Sequence, residues 1–147
     1  MGDCTDVTLR VLTEQAKAVR KLGARLFTYG VSEDGPHSVF EFDDIRFATL
    51  GFEDRLVEAG IAYDKTWGAG YDYSAGVEYV RFTPDGDLQQ IELDEGEDRP
   101  PLDELLALCD TPELLADFVR AFALTVTPLP WDNQAEYGRI YTTKEAQ

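Results

Sequence analysis

Between Gly76 and Leu93 the chain reads GVEYVRF, TPDGD, LQQIEL, two runs of alternating apolar and polar residues around Pro84, Asp85 and Gly86. Those three residues supply turn geometry, so the segment is expected to fold back on itself as an antiparallel hairpin. Val80 and Phe82 on one arm, and Ile91 and Leu93 on the other, are then expected to face the core. A chain with local antiparallel pairing interleaved with helix-period segments belongs to the α+β class, and the expectation is a small antiparallel sheet with helices packed on one face.

The rest of the chain fits that frame. Leu9, Leu12, Ala16 and Val19 recur at spacings of three and four, with Asp6 as a cap and Gly23 as a stop, which predicts a helix from about Val7 to Leu22. Val7, Leu9 and Val11 also alternate, and the competing reading is a strand followed by a shorter helix from near Thr13. SEDGPH is a turn signal, and the aromatic and β-branched SVFEFDDIRFA after it predicts a strand. TLGFEDRLVEAG predicts a short amphipathic helix and IAY a brief strand. PPLDELLALC and TPELLADFVRAFAL predict two closing helices, the second with Thr111 as cap, Pro112 at its first position and Leu115, Phe118, Val119 and Phe122 on one face. From about residue 126 an extended tail is expected, pinned by Trp131 and Tyr137. At 147 residues with 44% hydrophobic content, residues 1–147 read as one domain.

Charge narrows the partners. Asp and Glu number 29 against 13 Lys and Arg, a net charge of -16. Such a chain gains nothing from counterion release at phosphates, which excludes direct binding to nucleic acid or to an anionic membrane surface and favours a basic partner. The acid is clustered: nine carboxylates lie between Asp85 and Glu104 against Arg99 alone, whereas the chain up to Gly30 has a balance of +2. The opening MGDCTDVTLR has neither a basic nor an apolar leader region and no run is long enough to span a membrane, so an intracellular, cytoplasmic protein is expected. Cys4 and Cys109 form no CxxC and read as free thiols in a reducing compartment.

YDKTWGAGYDYSAGVEY, Tyr63 to Tyr79, holds five aromatic rings, three glycines and three carboxylates. It is not a phosphate loop. It lacks the third glycine of a dinucleotide fingerprint and the GK of a P-loop, and Asp64 and Asp72 would repel phosphate. An acid site from Asp43, Asp44, Asp64, Asp72 and Glu78 is a second reading, but the spacing matches no calcium loop, and paired carboxylates on an acidic surface are more often simply solvated. His37, the only histidine, reads as an exposed loop residue, and Ser38 and Ser74 lack a nucleophile elbow. The third reading is a recognition surface, with rigid rings and glycines that let a partner approach. Trp67 divides evenly between plugging the sheet and contacting a partner, while Tyr71 and Tyr73, on either side of Asp72, lean toward exposure.

GIAYD, WGAG, RFTPDG and WDNQAEYG resemble the punctuation of small acidic accessory proteins of plasmids and phages. That resemblance implies a mobile-element gene, a class that includes anti-CRISPR and antirestriction inhibitors acting by nucleic-acid mimicry. The leading expectation is therefore a non-enzymatic inhibitor with no cofactor and no metal, occupying a basic nucleic-acid-binding surface of a host defence protein. Asp85, Asp87, Glu92, Asp94, Glu95, Glu97 and Asp98 would supply charge, with Trp67, Tyr71, Asp72 and Tyr73 in the contact. The alternatives are a small enzyme or cation-binding protein using Asp64, Asp72 and Glu78, and a structural accessory protein with a solvated acidic coat.

Overall fold

A computed structural model of the protein describes residues 4–23, 28–70 and 73–131. Six strands, β1 (Cys4–Leu12), β2 (Thr28–Asp34), β3 (His37–Arg46), β4 (Tyr63–Trp67), β5 (Gly76–Phe82) and β6 (Leu88–Asp94), form one sheet in the order β2-β3-β1-β4-β5-β6. Every neighbouring pair is antiparallel. Among the described residues four helices accompany it: α1 (Ala16–Leu22), α2 (Glu53–Glu58), α3 (Leu102–Leu108) and α4 (Pro112–Val126). The fold is α+β, and α1 and α2 cover one face. Among the described residues no helix is long and apolar enough to cross a membrane.

The expected helix from Val7 to Leu22 is corrected. Val7, Leu9 and Val11 are buried and the residues between them only partly so, the period of two that belongs to a strand. β1 lies centrally between β3 and β4, so its β-branched side chains pack against neighbours on both sides. The helix starts only at Ala16, after a 3-10 turn over Thr13–Gln15. Spacings that seemed to belong to one helix therefore straddle a strand and a helix.

The core lies between this face and the two helices. Val7, Leu9, Val11, Phe40, Phe42, Val80 and Phe82 meet Val19 of α1, Leu56 of α2 and the intervening Leu50, Phe52 and Ile61. The Phe42 and Phe52 rings meet edge to face at 6.2 Å. The hairpin forms as expected, but its register pairs Val80 with Gln90 and Tyr79 with Ile91. Only Val80 and Phe82 thus point under the helices, and Ile91 and Leu93 belong to the other face, because one step of register exchanges the faces.

Arg81 organises that second face. Its side chain is 1% exposed. Nε donates to the Leu129 carbonyl at 2.9 Å, Nη1 donates to the Tyr63 and Val80 carbonyls, and Nη1 lies 2.7 Å from Asp64 Oδ1. The Trp131 ring lies over the guanidinium at 3.7 Å, and Gln89 Oε1 accepts the Leu129 N–H at 2.9 Å. The chain leaving α4 is thereby clamped across the sheet, with Trp131 the pin; Tyr137 lies outside the described residues. The edge of the same ring meets His37 at 4.6 Å. His37 is therefore not an exposed loop residue: it begins β3 and is buried under Trp131, with Nδ1 3.3 Å from Arg10 Nη2. Since a guanidinium only donates, Nδ1 accepts and the ring is neutral with its proton on Nε2. Burial, and then the Arg10 charge, lower its pKa.

Candidate functional site at one end of the sheet

The register gathers distant residues at one end of the sheet. Cys4 pairs with Arg46, Val7 with Trp67, Trp67 with Gly76, and Gly76 with Asp94. The start of β1, the ends of β3, β4 and β6 and the start of β5 thus form one rim. On it stand three rings, Phe47, Trp67 and Tyr73, beside Asp6, Asp43 and Asp44 on one side and Asp94, Glu95, Glu97 and Asp98 on the other.

Trp67 is half-buried. Its Nε1 donates to the Ser74 carbonyl at 3.1 Å, and Lys65 Nζ lies 5.5 Å from the ring centroid. Gly76 is what lets it lie flat: a Cβ there would come within 2.6 Å of the Trp67 ring and 2.8 Å of the Leu93 carbonyl oxygen. The indole borders a cleft of about 590 Å³ whose other walls include Tyr79, Leu93, Asp94, Glu95 and Asp98. The acidic turn is ordered by its own backbone: Asp94 N–H donates to Glu97 Oε1 at 3.0 Å, and Glu95 N–H ties to the Ala75 carbonyl at 2.9 Å.

Phe47 completes the rim. Its ring is 53% exposed, 6.5 Å from that of Tyr73, with the Arg46 guanidinium 5.3 Å above it. Its φ is +53°, followed by Ala48 at +54° and preceded by Asp44 at +56°. A bulky residue in the left-handed region costs on the order of 1 to 3 kcal/mol, and such strain clusters at functional sites. On the same side, local desolvation raises the Asp43 carboxyl above its ordinary range, and hydrogen bonding to and repulsion from Asp6 add to the shift.

Not every expected residue joins this end. Asp85 and Asp87 lie in the β5–β6 turn, a strand length away, roughly 20 Å for seven residues. Glu92 stands midway along β6, opposite Glu78. Tyr71 and Asp72 lie outside the described residues. Phe47 went unnoticed in the sequence and Asp6 was read there as a helix cap, because only the pairing of β1 with β3 and β4 brings them to the end of the sheet that holds Tyr73 and Trp67.

The grouping of Asp64 with Glu78 does not form. Asp64 pairs with Tyr79 and Glu78 with Lys65, so the two carboxylates lie on opposite faces. Burial raises the Asp64 carboxyl against the pull of Arg81 and Arg10. Glu78 accepts from the Tyr63 hydroxyl at 2.8 Å and from Gln90 at 2.7 Å. It lines a second cleft of about 600 Å³ beside α2, together with Lys65 and Glu53. There Glu53 accepts from Lys65 at 2.9 Å and from the Leu50 and Gly51 N–H groups. Burial acts to raise its pKa, but the Lys65 and Leu50 hydrogen bonds hold it below its ordinary value. Both carboxylates are thus engaged within the fold.

Comparison with protein-family models, with curated proteins and with solved structures returns no match. Chemistry must therefore be read from the side chains themselves. Among the described residues no group of three or more His, Cys, Asp or Glu could hold a metal ion. Ser38 Oγ donates to Thr13 Oγ1 at 3.1 Å. Both cysteines are free, and desolvation followed by the Asp44 carboxyl raises the Cys4 thiol, which disfavours the thiolate. The arrangement with the greatest capacity for contact is the rim, with rings for area and carboxylates for a cationic counterpart.

Proposed function

We propose that the protein is a non-enzymatic binding protein whose acidic, ring-bearing rim occupies a basic, nucleic-acid-handling surface of another protein. Its mode of action is that of the nucleic-acid-mimicking inhibitors carried by mobile elements. The observation supporting this most directly is the convergence of Asp94, Glu95, Glu97 and Asp98 with Trp67, Tyr73 and the strained, exposed Phe47 at one end of the sheet. Carboxylates on such a rim steer a basic partner into encounter, and buried rings then slow its release.

The test is competition. A DNA-binding nuclease of a host defence system is titrated with the protein while its DNA occupancy is followed across salt concentrations. Displacement that weakens as salt rises is expected. Neutralising Asp94, Glu95, Glu97 and Asp98 to Asn or Gln should slow association and flatten that salt dependence, while Trp67→Ala should speed dissociation with a loss of about 2 kcal/mol or more. One observation favours a second reading: β6 is an edge strand, and charge on an edge prevents strand-to-strand aggregation. If the neutralised protein aggregates yet displaces DNA at an unchanged rate, the carboxylates serve as a coat and not as a mimic.

A further inference from the structure

The α3–α4 hairpin leaves part of its apolar surface uncovered, while Leu105, Leu108, Leu115, Phe118, Phe122 and Val126 are half-buried. Neither helix has a single buried residue, although α4 places Leu114, Leu115, Phe118, Val119, Phe122 and Val126 on one side. The helices pack on each other and, through α4, against β6. Leu102 and Leu106, one turn apart on α3, are 69% and 62% exposed, and Leu114 at the start of α4 is 54% exposed. Leu102 and Leu106 thus form a paired apolar exposure on α3, and grouped apolar exposure marks interaction surfaces.

Charge selects the occupant. From Leu102 to Val126 the hairpin carries five carboxylates, Asp103, Glu104, Asp110, Glu113 and Asp117, against Arg120 alone. A second copy would bring the same charge against it, within a protein of net charge -16. A basic partner instead finds opposite charge around the leucines. The hairpin also adjoins the rim, since Val126 lines the same cleft as Trp67, Asp94, Glu95 and Asp98.

We infer that the α3–α4 hairpin docks a basic amphipathic helix of the partner protein, whose apolar side seats on Leu102, Leu106 and Leu114 while its lysines and arginines meet the flanking carboxylates. In helix-in-groove recognition the docked helix presents anchors one turn apart, a spacing that would match Leu102 and Leu106 of α3. The inference adds the form of the partner's contact to the binding reading above and rests on it for the partner's charge.

The probe is a fluorescent synthetic helix of about 18 residues, roughly five turns, with leucines at helical spacing and lysines elsewhere. One control is a scramble of the same composition, and a second keeps the leucine stripe but replaces lysine by glutamate. Titrated with the full chain, the lysine helix should bind at least about tenfold tighter than either control. The Leu106→Glu, Leu114→Glu double variant should lose about tenfold at both low and high salt and keep the parent melting curve, because both leucines are exposed. Equal binding of the scramble overturns the docking site, since charge alone then suffices. So does an unchanged double variant. Equal binding of the glutamate helix overturns the basic-partner reading instead and leaves an apolar dock indifferent to charge. A dimer seen by light scattering that the double variant dissociates identifies the occupant as a second copy and overturns the inference. Should the double variant fail to fold, the three peptides on the parent protein still decide.

Discussion

The face of the sheet under α1 and α2 and the α3–α4 hairpin are built from similar residues and put them to opposite use. Leu9, Phe40, Leu56, Ile61 and Val80 are fully buried, whereas no residue of α3 or α4 is. In the first region each apolar side chain removed from water stabilises the fold by about 1.5 to 3 kcal/mol. In the second, Leu102, Leu106, Leu114, Val119 and Leu124 remain largely in solvent. Apolar content alone therefore says little about where a chain's stability resides, and an amphipathic pattern can serve a partner as readily as its own core.

The largest expected effect lies at the seam between the two regions. Arg81→Met should destabilise by about 3 to 5 kcal/mol in urea denaturation, since it leaves Asp64 uncompensated beneath the chain segment it clamps. It should also move the Trp131 fluorescence toward that of a solvated indole before global unfolding. If stability falls and the fluorescence stays fixed, the clamp does not depend on Arg81.

Next comes the direct contrast. Leu56→Ala on α2 should cost about 2 to 5 kcal/mol, and Leu106→Ala on α3 should stay within about 0.5 kcal/mol, both by denaturant midpoint at unchanged slope. Equal losses would mean that the hairpin is buried in solution.

The smallest effect is pH-dependent and tests the second face. His37 is the only histidine, and its folded pKa is depressed below the ordinary 6.5. Below 6.5 the unfolded chain takes up a proton that the folded one resists. Stability is therefore complete above that value and declines as pH falls toward the lower folded value. A small drop in Tm between about pH 7.5 and 5.5, abolished in His37→Gln, is expected. A Tm that rises on acidification in the parent alone would mean that His37 is stabilised as the cation.

Elements with local causes were legible in the sequence. The turn at Pro84 to Gly86 specified its hairpin, Pro112 opened α4, and the aromatic run after SEDGPH gave β3. Non-local causes were not. β1 imitated a helix because Leu9 and Leu12 of the strand stand at helical spacing from Ala16 and Val19 of α1, and only pairing with β3 and β4 decides between the two. His37 follows a proline in a turn signal and gave no hint that Trp131 would cover it. The acidic stretch was legible as charge but not as place: β6 carries Asp85 and Asp87 to one end of the sheet and Asp94 to Asp98 to the other. Trp67 and Tyr73 were found by composition, and Phe47 was missed because its backbone strain leaves no mark in the sequence.

The central position of β1 also bears on synthesis. Val11 pairs with Ser38 on one side and Val7 with Trp67 on the other, so the strand leaves the ribosome well before either neighbour exists. Until β3 and then β4 emerge, a Val- and Leu-rich strand has both hydrogen-bonding edges open. Pairings of this sequence separation are slow to form because a long loop must close before any contact rewards it. The nascent chain is consequently most prone to aggregate after β1 has emerged and before β4 has. Slowing translation over that interval should lower the soluble yield more than slowing it after Trp67.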